Sequence, residues 1–259
     1  MTLRAAAIAF LLGLAAGCGA GGTAANPGDT PAVASADINL LFMGNSHTSF
    51  NNLPGMVAAM VRAAQPGKSV AAVEAPNWMF LEQRASDAQS LALLRAGNWR
   101  YVVLQAQEYS SSGLFQYSTE GAVSLVGMAR AVRAVPILFP EWPRRGIAET
   151  QRIYDLHVAI AQRAPACVPP IPQAWDLALA RHPDLVALLY NEDGNHSAPA
   201  GAFLAALVIA TTMTGQAPSQ LPFLPGFGVD ADVQAKLRAV AADTVVSLAP
   251  RQWCPQDPY

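Results

Sequence analysis

Late in this 259-residue chain an aspartate and a histidine lie three residues apart, Asp193 and His196 in Asp193-Gly194-Asn195-His196. Early in it an apolar run, Ile38-Asn39-Leu40-Leu41-Phe42-Met43, feeds directly into Gly44-Asn45-Ser46-His47-Thr48. A histidine that is to take a proton needs a partner that fixes its tautomer and stabilises its positive charge. A carboxylate three residues earlier on a turn can reach the ring from the same loop. A serine on a tight turn at the end of a strand exposes its hydroxyl and offers its own N–H to a developing oxyanion. Together the two segments supply a nucleophile, a base and an orienter for the base, in the chain order Ser, Asp, His. Each half alone has a plainer reading. A Gly-x-Ser turn is a common strand end, and Asp and Asn are ordinary turn formers ahead of a helix, with His as a surface residue.

The elements that must hold these residues alternate along the chain. Strands are expected at Ile38–Met43, Ser69–Ala75, Tyr101–Gln105 and Pro136–Phe139. A fifth is expected at Cys167–Ile171, weakened by Pro169 and Pro170. Helical spacing runs through Leu53–Ala64, with Pro54 in its first turn, and through Met79–Arg95, in two pieces around Ser86-Asp87. Further helices are read at Ser118–Ala131, Ile147–Ala164, Gln173–His182, Pro199–Thr214 (stopped by Gly215) and Asp230–Leu248. Strands alternating with helices imply a parallel sheet covered on both faces, and ligands of such a sheet gather at the carboxyl ends of its strands. Ser46 falls just past the first of these ends.

The two chemical segments together resemble the SGNH hydrolases, also called the GDSL family, over most of the chain from about Asp37 to Gly215. Gly44-Asn45-Ser46 is similar to the family's first block, with Asn45 where the better-known members carry Asp. Asp193-x-x-His196 is similar to its last block, and the following Ser-Ala-Pro-Ala-Gly-Ala-Phe-Leu-Ala-Ala continues the pattern. The resemblance implies a flavodoxin-like three-layer α/β/α domain with a central parallel sheet of about five strands. It implies Ser46 as nucleophile, His196 as general base and Asp193 as the residue that orients it. The middle blocks depart from the family. Where the family has a Gly whose N–H serves the oxyanion, this chain has Ala75-Pro76-Asn77-Trp78, which leaves Asn77 or Trp78 to supply that N–H. Where the family has Gly-x-Asn-Asp, this chain has Val102-Val103-Leu104-Gln105-Ala106-Gln107-Glu108. A Gln amide donates as an Asn amide does. Gln105 is therefore the expected third oxyanion donor, with Gln107 as its rival or as a substrate contact. Trp142, in Phe139-Pro140-Glu141-Trp142 after the fourth strand, is expected to stack on a sugar or cover an acyl group, and Asn45 to line the substrate site.

The N-terminus speaks to location. One early positive charge, Arg4, precedes an apolar stretch from Ala5 to Ala16, which reads as a secretory signal over residues 1–17. Its end, Leu14-Ala15-Ala16-Gly17-Cys18, resembles the bacterial lipobox, which implies lipidation of Cys18. Residues 18–36 are rich in Gly, Ala, Pro and Thr and read as a tether, and residues 37–259 as one hydrolase domain. Of the three cysteines, Cys167 and Cys254 then remain in an oxidising compartment and are expected to pair. The four histidines are scattered, with no H-E-x-x-H and no C-x-x-C, so no metal site is expected, and none of the chemistry calls for a cofactor. A formal net charge of -2 without a basic run leaves no footprint for nucleic acid.

These readings converge on a serine esterase anchored by lipid at the bacterial cell envelope, in contact with the membrane only through that anchor. Its expected substrate is a small-molecule or glycan ester, with an O-acetylated carbohydrate favoured by the envelope setting. A ligand-binding protein on the same scaffold, or an acyltransferase that donates to sugar rather than water, are the alternatives.

Overall fold

A computed structural model describes residues 35–259. The signal segment, Cys18 and nearly all of the tether lie outside the described residues.

The first strand sets the layers. β1 (Ile38–Met43) is buried along its whole length. Successive side chains of a strand face opposite sides. Leu40 and Phe42 therefore enter one core and Leu41 and Met43 another. β1 pairs in parallel with β2 (Val70–Glu74) on one side and β3 (Tyr101–Leu104) on the other, and β4 (Val135–Leu138) pairs beyond β3. The order β2-β1-β3-β4 makes a four-stranded parallel sheet. One face is covered by α2 (Leu53–Ala64), α7 (Ile171–Arg181), α9 (Pro199–Thr214) and α10 (Ala231–Ser247). The other is covered by α3 (Leu81–Arg84), α4 (Ala88–Ala96), α5 (Glu120–Ala131) and α6 (Thr150–Arg163). Two single-turn helices complete the set, α1 (Ser46–Ser49) and α8 (Val186–Leu189).

α9 shows how composition decides position. Every side chain from Ala200 to Met213 is buried, so the helix has no polar face and must lie inside the protein. Pro199 opens it, and Gly215 at φ 69° ends it, the pairing expected from the sequence. Gly201 lets it pack closely: a Cβ there would sit 2.2 Å from Leu189 O and 2.4 Å from the Trp175 ring. The expected helix at Met79–Arg95 is two pieces, α3 and α4, because Asp87 accepts from Ser90 N at 2.8 Å and caps a new start.

The expected fifth strand is not formed. Cys167 makes one bridge to Ile137, Val168 N turns away to Pro250 O, and Pro169 and Pro170 have no N–H to extend a ladder. The segment passes instead into α7. Cys167 and Cys254 form the expected disulfide, which ties the C-terminal tail to the body. Arg130 reinforces the same closure through paired bonds of 3.0 and 2.8 Å to the Asp257 carboxylate.

Leaving β1, the chain goes to β2 on one side and then crosses to β3 on the other. The crevice at the carboxyl ends of β1 and β3 is the topological switch point of the sheet, where open α/β folds collect ligands. Ser46 begins there.

Candidate active site

The turn after β1 has no spare room. A Cβ on Gly44 would lie 2.2 Å from Thr48 Oγ1 and 2.4 Å from Gln105 Oε1. Asn45 caps α1, its Oδ1 accepting from His47 N at 3.1 Å. Gln105, wholly enclosed at the end of β3, accepts from Asn45 N and from Thr48 Oγ1, both at 2.8 Å. Its Nε2 donates to Glu141 Oε1 from the end of β4. The ends of three strands thus lock one turn, and Ser46 stands on it with Oγ 2.8 Å from His196 Nε2.

The loop that brings His196 is organised by its own residues. Asp193 Oδ1 accepts from Asn195 N and His196 N, both at 2.9 Å, and Oδ2 lies 2.5 Å from His196 Nδ1. The bond to the His196 ring, then the two backbone N–H groups, hold the Asp193 carboxyl down at about 2, well below an ordinary aspartate. Gly194 takes the left-handed φ of 67° that this tight turn needs. Arg145 N and Trp142 Nε1 donate to Gly194 O and Asn195 O, each at 2.8 Å, and Asn51 Nδ2 donates to Ser197 O at 2.8 Å. The imidazole is also held face-on. Phe50 stacks on it at 4.5 Å and His47 at 4.9 Å. His47 in turn meets Trp142, which stacks on Trp175 at 4.7 Å.

Ser46 and His196 open onto a cavity of about 340 Å³. Asn45 and His47 form its floor beside them, Phe80, Tyr109 and Tyr117 give it aromatic walls, and Glu108, Glu141 and Arg144 give it charge. A second cavity of about 430 Å³ shares Glu108, Tyr109 and Tyr117 with the first and runs on past Phe115, Gln116 and Arg152. Among the described residues, one cluster brings three metal-type ligand atoms together, Cys167, Cys254 and Asp257, and both its sulfurs are spent in the disulfide.

The structure brings Ser46, Asp193, His196 and Asn45 together at this site and gives other expected residues different roles. Gln105, the expected third oxyanion donor, has no exposed surface, and its amide is committed to the Ser46 turn and to Glu141. Gln107 lines the cavity, but its amide N–H groups go to Glu108 O at 3.0 Å and Ser118 O at 2.9 Å. Trp142, the expected substrate platform, is 1% exposed and serves as a core residue behind the His196 loop. Its neighbour Glu141 is the one that faces the cavity. Asn77 is outside the residues that line the cavity, on an exposed turn at φ 63° fastened to the Ser46 turn, and its backbone N–H has no protein acceptor among the described residues. Phe50, and Arg84, whose Nη2 donates to Gly44 O at 2.7 Å, had no expected role. A weak signal existed for the first, since aromatic and histidine side chains flank Ser46 in His47-Thr48-Ser49-Phe50.

No protein-family model matches the sequence, and no curated protein matches it. Solved structures do. A protein from Slackia heliotrinireducens, assigned provisionally to the SGNH hydrolases, is 25% identical, with a TM-score of 0.52 over 68% of this chain and 98% of that one. A DUF4886 family protein from Bacteroides uniformis is 15% identical, with a TM-score of 0.59 over 85% of this chain and 99% of that one, a likeness of fold alone. By its parallel sheet, its helical layers and the first of these likenesses, the chain has an SGNH-like α/β fold.

Proposed function

We propose that this protein is a serine esterase that works through an acyl-enzyme. The observation that carries the reading is the unbroken contact from Asp193 through His196 to Ser46 at the mouth of a cavity. Asp193 accepts a hydrogen bond from His196 Nδ1–H, so Nε2 is left to accept from Ser46. Ser46 Oγ bonds to the ester carbonyl carbon while its proton passes to His196 Nε2. The tetrahedral intermediate then expels the alcohol, which leaves with that proton. Water repeats the two steps, releases the acid and restores Ser46. The Ser46 N–H meets the oxyanion.

A fluorophosphonate probe followed by peptide mapping tests this. The Ser46 peptide is expected to carry the label, and Ser46→Ala to abolish it. No label, or a label elsewhere, refutes the mechanism. Two expected amide donors turned away from the serine are also what a binding protein on this scaffold would show, and the same labelling separates the two readings.

An O-acetylated carbohydrate is the substrate class we favour. The two neighbouring cavities mix Tyr109, Phe115 and Tyr117 with Glu108, Gln116 and Arg152, and sugar rings present both C–H faces and hydroxyls to such a lining. The kcat/KM for an O-acetylated oligosaccharide should exceed that for an aryl acetate by about tenfold or more, since the remote rings add binding in the transition state. Lipidation of Cys18 at the Leu14-Ala15-Ala16-Gly17-Cys18 segment would hold the domain at the cell envelope. Among the described residues no helix is long and apolar enough to cross a membrane. Cys18→Ser should release the protein from membrane fractions; retention would refute the anchor.

A further inference from the structure

Arg84 is fully enclosed, and among the described residues no carboxylate bonds it. Its Nη1 donates to Pro76 O at 3.2 Å and Ser90 Oγ at 2.8 Å. Its Nη2 donates to Gly44 O and Asn77 O, both at 2.7 Å, and its Nε has no partner. Burial pushes its pKa below the usual arginine value, with Asp87 and Glu74 opposing from a distance. An interior charge without a bonded counter-ion is costly, which raises the question of what it does there.

Its three carbonyl partners come from two turns, the Ser46 turn and the one after β2. In a trans peptide the N–H points opposite to the C=O, and the described chain has no cis bond. Pro76 O and Asn77 O both aim inward at the guanidinium, so the N–H groups of Asn77 and Trp78 both aim away from it. Among the described residues neither has a protein acceptor. Asn77 holds φ 63°, a region that glycine occupies most readily and asparagine tolerates better than most residues. Successive N–H groups in such a turn form a concavity for an anion. The turn is fastened beside Ser46: Met79 N reaches Gly44 O at 3.4 Å, and Trp78 Nε1 donates to Ser49 Oγ at 2.9 Å.

We propose that Arg84 is the positioning residue for the second half of the oxyanion site, fixing the Asn77 and Trp78 N–H groups and placing a buried positive charge behind them. The inference rests on the esterase reading. Asn77 then stands in for the glycine that the sequence lacks. Fixed dipoles and a cation in a water-poor interior stabilise a developing oxyanion more than a neutral carbonyl, so the effect falls on kcat rather than on KM. Arg84 touches no substrate and acts through the turn.

The test is steady-state hydrolysis of an aryl acetate by the mature protein, with melting followed in parallel. Arg84→Met should lower kcat about 100-fold with KM within about twofold. Arg84→Lys keeps a charge but not the planar fork, and should lose about tenfold. Should the Arg84 variants fail to fold, Asn77 carries the test. A β-branched residue resists φ above zero, so kcat of Asn77→Val should lie about tenfold or more below that of Asn77→Gly. A folded Arg84→Met with kcat within about threefold of wild type, a loss confined to KM, or equal kcat in the two Asn77 variants overturns the proposal. Failure of the wild type to hydrolyse esters or to label at Ser46 overturns both readings together.

Discussion

Gln105 holds the Ser46 turn through a buried amide from 60 residues away, whereas Asp193 holds the His196 loop from three residues away at the surface. The turn is fixed by enclosed polar side chains, Thr48, Gln105 and Arg84, drawn from separate elements. The loop is fixed mainly by backbone groups within itself and by rings stacked on its histidine. The nucleophile therefore depends on the whole sheet being assembled, and the base on a local turn that needs only to be docked. Disturbance of the first should spread; disturbance of the second should stay local.

The largest effect removes what both regions serve. Ser46→Ala should lower ester hydrolysis about 10³-fold or more while leaving the melting temperature close to wild type. Near-normal turnover by clean protein would sever the link between the regions. The next contrast sets one glycine against another. Gly44→Ala drives a methyl to within 2.4 Å of two fixed oxygens, so the turn itself must move. A shift of that kind costs about 100-fold in kcat, with overpacking of about 1–3 kcal/mol. At Gly194 the nearest atom to a new Cβ is 3.2 Å away, on the Arg145 side chain, and the strain is that of φ 67°, about 1–2 kcal/mol. Gly194→Ala should lose activity several-fold at most. Equal losses at the two glycines would erase the distinction.

Gln105→Ala sharpens it further. The change strands Asn45 N, Thr48 Oγ1 and Glu141, each in or near the interior, at about 1–3 kcal/mol for each buried group left unpaired. Unfolding by denaturant should show that loss. The accompanying fall in kcat should be about tenfold, below the 10²-fold typical of a direct oxyanion donor. A drop of that larger size with unchanged stability would return Gln105 to the oxyanion.

The same contrast explains what could be read from residues alone. Asp193 and His196 declare themselves because their contact is local, and β1 because its apolar run ends at Gly44. The helix Pro199–Thr214 is legible because an all-apolar stretch between Pro and Gly has one place to go. The partner of the Ser46 turn, Gln105, lies 57 residues beyond Thr48 and 60 beyond Asn45 and meets the turn only through strand register, which no local pattern encodes. Trp142 is core rather than substrate platform, with Glu141 at the cavity in its place, for a related reason. Both follow β4, and which of two adjacent side chains faces the cavity depends on the path of the chain after the strand. The fifth strand failed on proline chemistry that the sequence did display, since Pro169 and Pro170 remove the N–H groups it required.

The smallest expected effect concerns acid. The Asp193 carboxyl sits at about 2 in the folded protein, below its usual 3.8, through the bond to the His196 ring and two backbone N–H groups. A folded value below the unfolded one adds stability above about pH 4, and that stability is lost as pH falls toward about 2. The side chain is 48% exposed, so solvent screens much of it. Wild type should therefore melt no more than about 3 °C above Asp193→Asn at pH 6. That gap should persist to about pH 4 and close toward pH 2. A gap that widens in acid would reverse the sign of the linkage. A gap far above 3 °C would mean that the loop carries global stability, and that the Ser46 turn is not alone in depending on the rest of the fold.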